Sequence, residues 1–246
     1  MIETTIFKSK YLNRDVKVRI KRADSQIYLY FFDGQNLFDK ESSAFNMSWH
    51  VDQVLEALGL EANIIGIHSL ENENRVFEYS PKPLENEIAI AEYGSAGSSQ
   101  GIDTAKFIVE ELMPIVELEN VSDRLIGGSS MGGIMAIYVG SAYPKLFNKV
   151  LAMSTAGLIM PMAMDLIAKQ YELKNSQKLY LDTGTNENQE DSYVSKGYIK
   201  YNRQLNKALE GRVTKLYVEE KDAVHNEISW NRRLPEALKW LFYEKS

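Results

Sequence analysis

The sequence contains no cysteine. That one absence excludes disulfides, zinc–thiolate sites and a thiol nucleophile. Basic residues are in the minority: 28 Lys and Arg stand against 34 Asp and Glu, a formal charge of −6 at pH 7. Nucleic acid and anionic membrane both select for basic patches, so neither is an expected partner. No apolar run approaches the roughly 20 residues a membrane-spanning helix needs. The opening stretch MIETTIFKSK lacks the charged-then-apolar pattern of a secretory leader, and a cytoplasmic location is the expectation. Histidine is scarce, with only His50, His68 and His225. A base of the histidine type therefore has three candidates.

What is present suffices for a large core. Hydrophobic residues make up 44% of 246, in keeping with one soluble domain over 1–246. Strand-like runs (ETTIFKS, DVKVRIK, QIYLYFF, NIIGIH, DRLIGG, NKVLAMS, KLYLDTG, VTKLYVEE) alternate with helix-like ones. The helices are expected at Trp49–Leu58, Gly101–Glu117, Met131–Ala142, Met162–Tyr171, Tyr193–Glu210 and Ile228–Glu244. The first two strands alternate apolar and polar residues, as an antiparallel edge ribbon does. The later ones are continuous apolar runs, as buried parallel strands are. The pattern predicts an α/β domain with a mostly parallel eight-stranded sheet and helices on both faces. Ser69–Ser99, which includes AEYGSAGSSQ, reads as one long irregular stretch.

One short segment carries chemistry. RLIGGSSMGG, Arg124 to Gly133, lies between an apolar strand and a helix. It is not a phosphate loop, because no lysine follows Gly132, and adjacent Gly127 and Gly128 break a dinucleotide fingerprint. It does fit G-x-S-x-G at Gly128, Ser130 and Gly132, the nucleophile elbow that the α/β-hydrolase fold exemplifies. A serine on so sharp a turn brings its neighbours two before and two after together, where a Cβ would clash. The turn also aims the N-terminus of the next helix at the reacting carbonyl, so the N–H of Met131 is a candidate oxyanion donor.

Serine needs a base, and in this fold the chain order is serine, acid, histidine. Only His225 follows Ser130, in a loop between the last strand and the last helix. The acid lies among Asp182, Glu187, Glu190 and Asp191; Glu187, on the loop after the strand, is preferred, with Asp182 and Asp191 in reserve. The second oxyanion donor is expected after the third strand, in DGQNLFD, where Gly34 permits a close turn and Gln35 offers its N–H. Asp33 reads as a brace for that loop.

On YLYFFDGQNLFD, SWHVDQVLEAL, NRVFEYSP, LIGGSSMGGIMAIYVG, LYLDTGTNEN and VHNEISWNRRLPEALKWL, the chain resembles the "putative esterase" family of α/β-hydrolases. That family includes enterochelin, feruloyl and acetyl-xylan esterases. The resemblance covers nearly the whole chain and implies an α/β-hydrolase fold. It also implies Ser130 as nucleophile, His225 as base, an acid at Glu187, and oxyanion donors at Met131 and Gln35. It implies no metal or cofactor. Many members carry aspartate where Glu187 stands.

For the substrate, AGLIMPMAMDLIAK suggests a short cap around 157–175, with Met160, Met162 and Met164 offering adaptable apolar surface to the acyl or alcohol pocket; methionines on a core-facing helix are the alternative. Trp49 and, in NRVFEYSP, Arg75 and Tyr79 are further candidate contacts, Arg75 toward a substrate carboxylate or merely toward Glu78. The expected activity is serine carboxylesterase action on short-chain or carbohydrate-linked acyl esters. Acyl transfer through the same acyl-enzyme and a non-catalytic binding protein are the competing readings. Oligomeric state is open.

Overall fold

Period-two alternation makes β1 (Ile2–Ser9) and β2 (Arg14–Lys21) a hairpin, with Val16 and Val18 turned inward and most of β1 exposed at the edge. In the computed structural model, all residues are described except 44, 85–89, 91–98, 119, 172–175 and 245–246. The continuous apolar runs form β3 (Ile27–Phe32), β4 (Asn63–Ile67), β5 (Asp123–Ser129), β6 (Lys149–Met153) and β7 (Lys178–Gly184), with β8 (Thr214–Glu220) at the far edge. The eight strands form one sheet in the order β1-β2-β4-β3-β5-β6-β7-β8. The sheet is mixed. β2 runs antiparallel to both β1 and β4, and every pairing from β4 through β8 is parallel. A short turn joins β1 to β2, whereas parallel neighbours need a crossover, which the helices supply.

Each buried strand serves two cores. Along β3, Tyr28, Tyr30 and Phe32 enter one cluster, and Leu29 and Phe31 enter the other. The second cluster lies under α1 (Val51–Leu58) and the final helix α8 (Glu227–Phe242), through Val51, Leu55, Trp230, Leu234 and Leu238. The first lies under α5 (Ser130–Ala142), α6 (Pro161–Gln170) and α7 (Ser192–Ala208). Apolar residues surround α5 on all sides because it is buried nearly throughout.

The segment expected as Gly101–Glu117 is helical but not uniform. α3 (Gly101–Lys106) passes through a π-helical turn, Phe107–Leu112, into α4 (Met113–Val116). Pro114 has no N–H for the ladder, and the bonding widens just ahead of it. The long irregular stretch Ser69–Ser99 is corrected by α2 (Asn72–Glu78), too short and too charged to show a periodic apolar face. Most of AEYGSAGSSQ lies outside the described residues. Among the described residues, no helix is long and apolar enough to cross a membrane.

Candidate active site

The parallel strands deliver their C-terminal ends to one edge of the sheet, where open α/β folds place their ligands. Ser130 stands at the end of β5 as the first residue of α5, with φ of 56°. That left-handed backbone is uncommon for a residue with a side chain. Gly128 shows why the turn is possible: a Cβ there would lie 2.6 Å from the backbone of Gly132. The N–H of Met131 belongs to the first turn of α5, whose donors have no partner within the helix.

His225 lies in the loop between β8 and α8, with a side chain one quarter exposed. Its Nδ1 is 2.6 Å from Oε2 of Glu187, and its backbone N–H donates to the Glu187 carbonyl. Glu187 is buried at 4% exposure, in a loop folded back after β7. Its Oε1 accepts from Gly184 N–H at 2.5 Å and from Thr183 Oγ1 at 3.2 Å. Burial pushes the Glu187 carboxyl up. The hydrogen bond and charge of His225, with the Ser154 hydroxyl and the Gly184 N–H, outweigh it and hold the pKa below the usual glutamate value. Gly184 permits the fold-back: a Cβ on it would lie 2.2 Å from the Ala223 carbonyl.

Neither reserve carboxylate reaches the imidazole. Asp182 is fully buried, accepts from Ser154 N–H at 3.0 Å, and lies 3.3 Å from Arg233 Nη1. Burial pushes it up to about 7, a rise that Arg233 only partly offsets. Asp191 caps α7, accepting from Tyr193 N–H at 2.8 Å. The imidazole packs against Tyr198 at 4.9 Å and edge-on against Trp230 at 5.0 Å.

Ser130 and His225 line one cavity of about 480 Å³, together with Asp33, Gln35, Asn36, Ser69, Arg75 and Glu227. Gln35 is the middle residue of the 3₁₀ turn Gly34–Asn36, and its side-chain amide exchanges hydrogen bonds with Ser69. Asp33, with φ of 56°, receives both Nε and Nη2 of Arg75 at 2.7 Å. Arg75 therefore pairs with Asp33 and not with Glu78, whose partner is Arg14. A substrate carboxylate would meet an arginine already neutralised.

The other expected substrate contacts need correction. Trp49 is buried between Phe31 and Trp230. Tyr79 is 1% exposed, its hydroxyl accepting from Asp33 N–H. Met160 and Met164 enter the core cluster, as methionines on a core-facing helix do. All three expected contacts are apolar or aromatic enough to be claimed by the core. Residues 157–171 contribute nothing to the cavity lining, and 172–175 lie outside the described residues. Instead, the wall uses residues the sequence did not single out: Phe45, Met47, Asn36 and Glu227. Asn36 Nδ2 donates to Glu227 Oε1 at 3.0 Å, tying the loop after β3 to the histidine loop. Burial pushes the Glu227 carboxyl up. The HNE triplet, which places an acid two residues past His225, was the available signal for Glu227. His50 caps α1 with left-handed backbone, and His68 directly follows β4; neither lines the cavity.

The fold is shared with known hydrolases. The structure superposes on an IroE-like serine hydrolase from Shewanella oneidensis with a TM-score of 0.77 and 17% identity, covering 98% of this chain and 80% of that one. It superposes on the siderophore hydrolase EstA from Aspergillus nidulans with a TM-score of 0.74 and 16% identity, covering 98% and 93%. In sequence, the chain is 24% identical over 227 residues to the "Uncharacterized protein YbbA" of Bacillus subtilis (strain 168), 87% of this chain and 84% of that one. The model of the family described as "Esterase: Putative esterase" matches residues 9–241. With that match spanning almost the whole chain, the protein belongs to this esterase family and is a carboxylic ester hydrolase.

Proposed function

We propose that the protein hydrolyses short-chain or carbohydrate-linked acyl esters through a Ser130–His225–Glu187 triad and an acyl-enzyme. One observation carries this reading: Ser130, on its left-handed turn, shares a cavity with a histidine whose Nδ1 is held 2.6 Å from a buried carboxylate. With Nδ1 committed to Glu187, Nε2 is the nitrogen left to take the Ser130 proton. Oγ then bonds to the ester carbonyl carbon, and the developing oxyanion is held by the N–H groups of Met131 and Gln35. His225 passes the proton to the leaving alcohol as its C–O bond breaks. Water, deprotonated by His225, attacks the acyl-enzyme, and Ser130 leaves with the proton restored. Throughout, Glu187 stays ionised and balances the imidazolium, in keeping with its lowered pKa. A cavity of about 480 Å³ suits a small ester.

The test is a panel of chromogenic acyl esters, acetylated sugars, feruloyl esters and a siderophore-type lactone, run on wild type and Ser130→Ala. The variant is expected to lose roughly four to six orders of magnitude in kcat on the preferred ester while remaining folded. A loss of tenfold or less would overturn the assignment of the nucleophile. Added alcohols distinguish hydrolysis from acyl transfer by their products.

A further inference from the structure

Ser154 follows β6, is fully buried, and has left-handed backbone at φ 48°. A non-glycine residue kept in that region is unusual and directs attention to its side chain. Its N–H is bonded to Asp182, at 2.9 Å to the carbonyl and 3.0 Å to Oδ1. Its Oγ receives two hydrogen bonds of 3.0 Å, from Trp230 Nε1 and from Arg233 Nη2. An indole N–H and a guanidinium are donors only. The Ser154 oxygen must accept from both, which leaves its own hydrogen to point away from them. The Ser154 hydroxyl favours the ionised form of the Glu187 carboxylate. Trp230, anchored by its bond to Ser154, stands edge-on to the His225 ring at 5.0 Å and 83°. One hydroxyl thus anchors the indole beside the imidazole and favours the charge of the carboxylate behind it.

We propose that Ser154 is a positioning residue: it fixes the Glu187 carboxylate and the Trp230 indole, and through them the orientation of the His225 imidazole. Arg233 completes the arrangement, because it donates to the Ser154 oxygen and is itself held by Asp182. The proposal rests on the triad reading above, but part of its test does not need turnover.

Ser154→Gly removes the hydroxyl and suits left-handed backbone, and Ser154→Ala carries the same deletion with a Cβ retained. Kinetics are measured for Ser154→Gly, Glu187→Ala and the double variant. Ser154→Gly is expected to lower kcat on the order of tenfold with KM nearly unchanged. In the Glu187→Ala background it is expected to cost much less, because the group it acts through is gone. An equal loss in both backgrounds, or an unchanged kcat in Ser154→Gly, overturns the proposal. Separately, the Nδ1 proton shared between His225 and Glu187 is followed by proton NMR in the absence of substrate. Its far-downfield resonance is expected to shift or broaden in both Ser154 variants; a resonance identical to wild type in both overturns the proposal. If wild type turns over no ester, the esterase reading fails while this resonance still reports on Ser154.

Discussion

Gly128 and Ser130 are two positions of one constraint. The serine side chain can project from the end of β5 only if the chain turns sharply, and the turn closes Gly128 onto Gly132. Gly128→Ala would put a Cβ 2.6 Å from backbone that has no room to yield. It is expected to abolish esterase activity and to lower stability by about 1–3 kcal/mol, measured by thermal denaturation beside an activity assay. Wild-type activity in a folded Gly128→Ala protein would mean that the turn tolerates a wider opening. This residue pattern was legible in the sequence because the steric demand is local. Ser154 was not: it looks like any strand-terminal serine, and its importance comes from Trp230 and Arg233, some 80 residues away in the chain.

Among the elements, α8 has two tasks. Its apolar stripe, with Leu234 and Leu238 both fully buried, packs on the sheet, and its N-terminal end carries Glu227, Trp230 and Arg233 to the site. Leu234→Ala is expected to cost about 2–5 kcal/mol, because a buried isobutyl group leaves a cavity. Ile228→Ala on the same helix, at 54% exposure, is expected to change stability by less than about 0.5 kcal/mol. Urea denaturation of the two variants checks the contrast, and similar losses would contradict this orientation of the helix. Sequence periodicity located α1 and α5–α8 to within about two residues at each end. It missed α2, whose seven residues present too little apolar surface to show a period, although Arg75 on that helix supplies part of the cavity wall.

On the scale of the molecule, stability is tied to pH through a histidine outside the site. His68 directly follows β4, with its Nε2 buried and unpartnered. Burial, aided by Lys17, Arg19 and Arg14 and opposed by Asp33, lowers its pKa from 6.5 to about 4. The folded state therefore prefers neutral imidazole. Between pH 6.5 and 4 the unfolded chain binds more protons, so stability from this group is full above about 6.5 and is lost as pH falls toward 4. Asp182, raised to about 7, acts in the opposite sense, since its folded form favours the proton. The difference between wild type and His68→Gln isolates the histidine. The variant is expected to lose less Tm between pH 6.5 and 4.5 than wild type, and parallel Tm curves would refute the assignment.

The sequence alone determined that the protein is an α/β domain, that the nucleophile candidate is Ser130, and that His225 is the one histidine placed to serve it. Those conclusions depend on local sterics, strand periodicity and chain order, all of which are properties of short segments. The tertiary structure decided which of four carboxylates lies against His225, turned Arg75 toward Asp33, and moved Trp49, Tyr79 and Met160 into the core. It also made β2 antiparallel to β4 and gathered Ser154, Asp182 and Arg233 behind the site. These depend on which side chains are left facing each other once the sheet has twisted and the helices have packed, and no segment specifies that by itself.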